Sequence, residues 1–149
     1  MYIVAIFLIV VVWFMPKRLT RQEMYITWII VSYIEITVDL SLGHVMDLYY
    51  FAQEQKISPE ALIIKMIVSP LFGIIFSNYI PKRFLQFMGY LIFWVLFSTF
   101  FEWLTIKFGY LTYKNWSLWY SFIFYIIAVL FMRWNLWFIR NTPNKNRKI

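Results

Sequence analysis

The sequence predicts an all-α fold, an integral membrane bundle of five transmembrane helices. Three observations carry this expectation. The chain is 62% hydrophobic and 14% charged, whereas a soluble domain averages about 45–50% apolar and about 25% charged residues. At 149 residues a soluble domain has too much surface for its volume to hide so many large apolar side chains. The apolar residues also fall into runs, separated by short connections that carry Pro, Lys and Arg. An aromatic content of 23% fits the same class, because Trp and Tyr favour the two membrane interfaces.

The first run is Tyr2–Met15, YIVAIFLIVVVWFM, stopped by Pro16-Lys17-Arg18. It lacks the basic leader and small-residue cleavage site of a signal peptide, so a retained anchor is expected. Fourteen residues give only about 21 Å of helix, short for a bilayer crossing. The second span, about residues 24–50, opens on Thr20-Arg21-Gln22-Glu23, a T-x-x-E capping box. Ser58-Pro59-Glu60 supplies an N-cap serine, a proline at the first helical position and an acid in the first turn. That opens the third span, about 60–80, with Pro70 as an expected kink. Pro81-Lys82-Arg83 starts the fourth, about 84–106. Asn115 or Ser117 caps the fifth, about 117–139. Residues 1–140 therefore form one five-helix membrane domain, and 141–149 a basic cytoplasmic tail.

The net charge of +7 is spread between the apolar runs and makes no continuous basic face, so nucleic acid is not an expected partner. One side of the bundle collects Lys17, Arg18, Arg21, Lys82, Arg83, Arg140, Lys145, Arg147 and Lys148. The other keeps Lys56, Lys107 and Lys114 in its connections. The positive-inside rule then places the N-terminus outside and the C-terminus in the cytoplasm. With no cysteine in the chain, disulfides, thiolate metal sites and cysteine nucleophiles are excluded.

The second span is the anomalous one. SYIEITVDLSLGHVMDLYYF (32–51) holds Glu35, Asp39, Asp47 and the only histidine, His44. Two central acids cost roughly 5–7 kcal/mol on insertion scales, about what its aliphatic residues return. Such acids belong in a bundle interior and not against lipid. At about 100° per residue Trp28, Ser32, Glu35, Asp39 and Gly43 share one face, with His44 opposite. Counting inward from the outer boundary puts His44, Asp47, Lys65 and Glu102 in one shallow layer, where Lys65 neutralises Asp47 or Glu102. Glu35 and Arg133 fall at one deeper level and are expected as charge partners, which leaves Asp39 without a cation. An unpaired carboxyl in a low dielectric holds or shares a proton.

Glu35, Asp39, Asp47, Lys65 and Glu102 are thus the candidate ion- or solute-binding residues. No catalytic residue, metal site or cofactor is assigned. The metal alternative, His44, Asp47 and Glu102, has a single histidine against it. No Gly-rich phosphate loop, H-E-x-x-H motif or Ser-His-Asp order occurs. Ser69-x-x-x-Gly73-x-x-x-Ser77 reads as a small-residue ladder for helix packing. Trp116, Trp119, Tyr120, Trp134 and Trp137 bracket the fifth span as an interfacial belt.

The run FEWLTIKFGYLTYKNWSLWYSFIFY (101–125), with the acid-bearing second span and PKR at 16–18, resembles a family of small five-span membrane proteins of spore-forming Gram-positive bacteria. The resemblance implies an integral protein of the bacterial plasma membrane. It supplies no reaction, ligand or catalytic residue. The function expected from the residues is binding or translocation of a proton, cation or small solute at the buried acids. The alternatives are a scaffold or accessory subunit of a larger membrane complex, in which the acids are hydrogen-bonded glue, and a lipid-modifying membrane enzyme. The expected partners are the lipid bilayer and another membrane chain, a second copy or a different protein.

Overall fold

The computed structural model describes residues 2–51 and 59–141 and is mostly helical. The Ser58 cap and residues 142–149 of the basic tail lie outside the described residues. Among the described residues five α-helices run in order: α1 Tyr2–Phe14, α2 Arg21–Val38, α3 Pro59–Asn78, α4 Phe84–Lys107 and α5 Leu118–Asn141. A π-helical segment, Asp39–Val45, prolongs α2. Three helical stretches, Arg21–Val45, Phe84–Lys107 and Leu118–Asn141, are long and apolar enough to cross a membrane, and Tyr2–Phe14 and Lys65–Asn78 are shorter apolar helices.

The sequence did not reveal two short strands, β1 Tyr49–Phe51 and β2 Leu111–Tyr113. They pair antiparallel, with Tyr49 opposite Tyr113, Tyr50 opposite Thr112 and Phe51 opposite Leu111. The expected second span to residue 50 is therefore too long. Its helix ends at Val45, the chain turns through Asp47 at φ 50°, and the last three aromatic residues become a strand. Asp is among the few side chains that tolerate this left-handed backbone. On the partner side α4 closes with Gly109 at φ 72°, where Gly109 N–H donates to the Ile106 carbonyl (3.0 Å) and Tyr110 N–H to that of Thr105 (2.9 Å). Glycine adopts that backbone without a Cβ penalty.

The opposite end is tied by polar side chains. Thr20 Oγ1 accepts from Glu23 N–H (3.2 Å), and Glu23 Oε2 accepts from Thr20 N–H (2.7 Å), completing the capping box. Glu23 Oε1 also receives Arg140 Nε at 2.6 Å, which joins the start of α2 to the end of α5. Asn78 Oδ1 accepts the backbone N–H groups of Arg18 (2.7 Å) and Leu19 (3.3 Å), and its Nδ2 donates to the Pro16 carbonyl (3.0 Å). One end of the bundle thus gathers Lys17, Arg18, Arg21, Lys82, Arg83 and Arg140, and the other carries the strand pair.

α3 is the central helix. It packs against α1 through Ala5, Leu8, Val68 and Leu71, and meets α4 and α5 around Phe76, Phe87, Val95, Val129 and Met132. Against α2 it packs closely: a Cβ built on Gly73 falls 2.8 Å from Val31 Cγ2, so a larger residue there forces a neighbour to shift. The outside of the bundle is apolar. Ile3 and Leu85 are each 83% exposed and Phe14 80%.

Candidate functional site

Between α2, α3, α4 and α5, near the strand-pair end, lies a cavity of about 480 Å³. That is within the size range of small-molecule sites, about 300–1,000 Å³. Its walls are mostly aliphatic and aromatic, and Glu35, Asp39, Lys65 and Glu102 reach it from three helices. The α2 face that presents Glu35 and Asp39 follows from ordinary helical spacing. Beyond Asp39 the i→i+5 pattern takes over, with Met46 N–H donating to the Ser41 carbonyl at 3.0 Å. Such widened turns recur at functional positions because they re-aim side chains without ending the helix.

Asp39 is the best anchored of the acids. Lys65 Nζ ion-pairs with its Oδ2, and Tyr49 Oη donates to its Oδ1 at 3.0 Å. The Lys65 ammonium also lies over the Phe51 ring, a cation–π arrangement. The strand β1 therefore contributes both a hydroxyl and an aromatic face to this corner. Burial, together with the neighbouring Asp39 charge, pushes the Tyr49 hydroxyl well above the usual tyrosine range.

Glu102 is held by neutral donors. Its Oε1 accepts from Tyr113 Oη (2.6 Å) and Ser121 Oγ (2.8 Å), and its Oε2 from Tyr125 Oη (2.8 Å). Trp116 Nε1 donates to Ser121 Oγ at 2.8 Å, which orients that hydroxyl toward the acid. Burial and the hydrogen bond to Glu102 raise the Tyr113 hydroxyl well above its usual range. Glu35 sits deeper. Asp39, Lys65, Ser69 and Glu102 are its electrostatic neighbours, and it joins none of the ion pairs among the described residues.

The structure departs from several sequence expectations. Asp39 has a cation, because the helix ends at Val45: Asp39 lies six residues before that end, and Lys65 six residues after Pro59. A boundary at residue 50 had placed Asp39 too deep. Lys65 accordingly neutralises Asp39, and neither Asp47 nor Glu102. Asp47 does not reach the cavity; it is exposed and pairs with Lys114 at 2.7 Å. Arg133 is not the partner of Glu35. Its guanidinium lies 3.8 Å from the centre of the Phe87 ring, three residues into α4 at the basic end. Its Nη1 is buried without a hydrogen-bond partner among the described residues.

The metal alternative does not assemble. His44 is exposed, Asp47 is committed to Lys114 and Glu102 to hydroxyls, and among the described residues no three His, Asp or Glu side chains group as ligands. Four functional groups escaped the sequence reading: Tyr49, Tyr113, Ser121 and Tyr125. A signal was present in the Ser121-x-x-x-Tyr125 spacing, which puts two hydroxyls on one helical face.

Comparison of the chain with models of known protein families, with curated proteins and with solved structures finds no match.

Proposed function

We propose that the chain is a multi-pass protein of a bacterial plasma membrane, with five helices crossing the bilayer, whose acidic cavity binds or passes a proton, a cation or a small solute. The apolar outer surface supports the membrane reading, since soluble monomers seldom expose apolar patches beyond a few hundred Å². The cluster of basic residues at one end supports an external N-terminus and a cytoplasmic C-terminus. The resemblance of residues 101–125 to small membrane proteins of spore-forming bacteria supports the location.

One observation carries the functional reading. Among the described residues, three carboxylates, Glu35, Asp39 and Glu102, share the cavity with one cation, Lys65. Ionised together, they leave two negative charges uncompensated in a low-dielectric space, and intramembrane acids in that position mark ion or proton sites. Bound cations or protons restore neutrality. The test is reconstitution in liposomes that enclose a pH-sensitive dye or a cation indicator, with an imposed diffusion potential. Flux that falls in Glu35→Gln while the protein stays folded supports the site; equal flux with and without the wild-type protein contradicts transport.

A second reading is favoured by the three hydroxyls around Glu102. Satisfied so completely, an acid serves as glue between α4, β2 and α5, and the chain is then a scaffold or accessory subunit with a second membrane chain as partner. In that case Glu35→Gln and Asp39→Asn lower the amount of protein in the membrane, and no ligand restores it.

A further inference from the structure

We infer that the ligand of this cavity is an organic monocation, an alkyl- or arylammonium with an apolar body; this rests on the reading of the cavity as a cation site. Three features of the cavity select that class. Its volume, about 480 Å³, is that of a small-molecule site, so a single inorganic ion would leave most of it to water. Its acids do not converge as ligands for a small ion: Asp39 is turned to Lys65 and Tyr49, and Glu102 to Tyr113, Ser121 and Tyr125. They set a negative potential around the space without forming a coordination shell. The third feature is its aromatic wall. Phe72 makes edge-to-face contacts with Trp94, Phe97 and Phe101, at centroid distances of 6.4, 5.8 and 5.5 Å, and all four rings line the cavity.

The chain contains its own worked example of such recognition. Lys65 is an alkylammonium whose head meets a carboxylate, Asp39, and an aromatic face, Phe51. Glu35 offers the same chemistry deeper in the space, with no ion-pair partner among the described residues and with the Phe72 cluster lining the same cavity. A ligand ammonium at Glu35 places its apolar body against those rings, where burial of apolar surface adds to the charge pairing.

The experiment is calorimetric titration of the full chain in lipid nanodiscs with benzyltrimethylammonium, with its uncharged carbon isostere and with sodium chloride. Empty nanodiscs are the blank. Saturable binding of the ammonium, absent for the isostere and weakened at least about tenfold in Glu35→Gln, is the expected result, because removing one partner of a buried charge pair costs well over 1.4 kcal/mol. Wild-type binding compared between ammonium and isostere needs no variant and keeps the test decisive if Glu35→Gln fails to fold. Equal binding of ammonium and isostere overturns the inference, as does ammonium binding that a folded Glu35→Gln leaves unchanged. Binding of sodium alone overturns the inference while leaving the cation site standing. Proton flux through liposomes without ammonium binding has the same meaning. Absence of every one of these signals overturns both.

Discussion

The Lys65 ammonium and the Asp39 carboxylate meet across α2 and α3 at one depth from the strand-pair end, with Tyr49 donating to the same acid. The two side chains are only 15% and 23% exposed. Removing one partner from a buried pair strands a charge, which costs on the order of 3–5 kcal/mol. Lys65→Met is therefore expected to destabilise the bundle by about 3 kcal/mol. The double variant Asp39→Asn/Lys65→Met should recover part of that loss. Unfolding in mixed micelles, run as a double-mutant cycle, measures the coupling; additive losses would show that the two groups do not interact.

Gly73 sets how closely α2 and α3 approach. Its absent Cβ would lie 2.8 Å from Val31 Cγ2, a clash with a stiff β-branched side chain. Gly73→Ala is expected to cost about 1–3 kcal/mol through overpacking, and Val31→Ala in the same chain to relieve it. A Gly73→Ala variant as stable as wild type would mean that the helices are free to move apart.

Around Glu102 the donors differ in weight. Tyr125→Phe removes one hydrogen bond to the acid, worth about 1.5–3 kcal/mol when the acceptor is charged. Ser121→Ala removes another and also strands the Trp116 indole N–H. It should therefore be the more damaging of the two, by thermal unfolding in detergent. The reverse order would indicate that Trp116 finds another acceptor.

Alkaline pH should loosen the strand pair. The hydroxyls of Tyr49 and Tyr113 are raised above the ordinary tyrosine value of 10.0. Above pH 10 the unfolded chain releases these protons while the folded chain keeps them, so the unfolded state binds fewer protons and stability falls as pH rises. Their contribution is fully present below pH 10 and is lost as pH climbs toward the raised folded values. Thermal unfolding between neutral pH and pH 11 should show this decline, and Tyr49→Phe and Tyr113→Phe should each flatten it.

Much of the helical frame was legible because its signals are local. The Thr20–Glu23 box, the Pro-Lys-Arg breaks at 16–18 and 81–83 and the apolar runs act over one or two turns, and the helices begin and end close to the expected residues. The exception was the end of α2. Tyr49, Tyr50 and Phe51 continue an apolar run, and hydropathy cannot distinguish a helix end from a strand that pairs with residues 111–113, sixty positions away. That single error displaced Asp39 in depth and hid its pairing with Lys65. Arg133 was misplaced by the same boundary: counted from Val45, Glu35 lies ten residues in, whereas Arg133 lies fifteen residues past Leu118, nearer the basic end, where Phe87 meets its guanidinium. The hydroxyls on Glu102 depend on β2 and α5 folding back over α4, a tertiary relation with no sequence period.

The most direct test of a cation-selective cavity uses the absence of cysteine from the chain. A single Ser69→Cys variant puts one thiol in the cavity beside Glu35. In intact membranes its labelling rate is measured with a trimethylammonium thiosulfonate reagent and with a sulfonate of similar size. With each rate divided by that reagent's rate with a free thiol in solution, a preference for the cationic reagent of at least about tenfold and slowing of its reaction by benzyltrimethylammonium are the expected results. Equal normalised rates for the two reagents, or no labelling by either, would contradict the cation site.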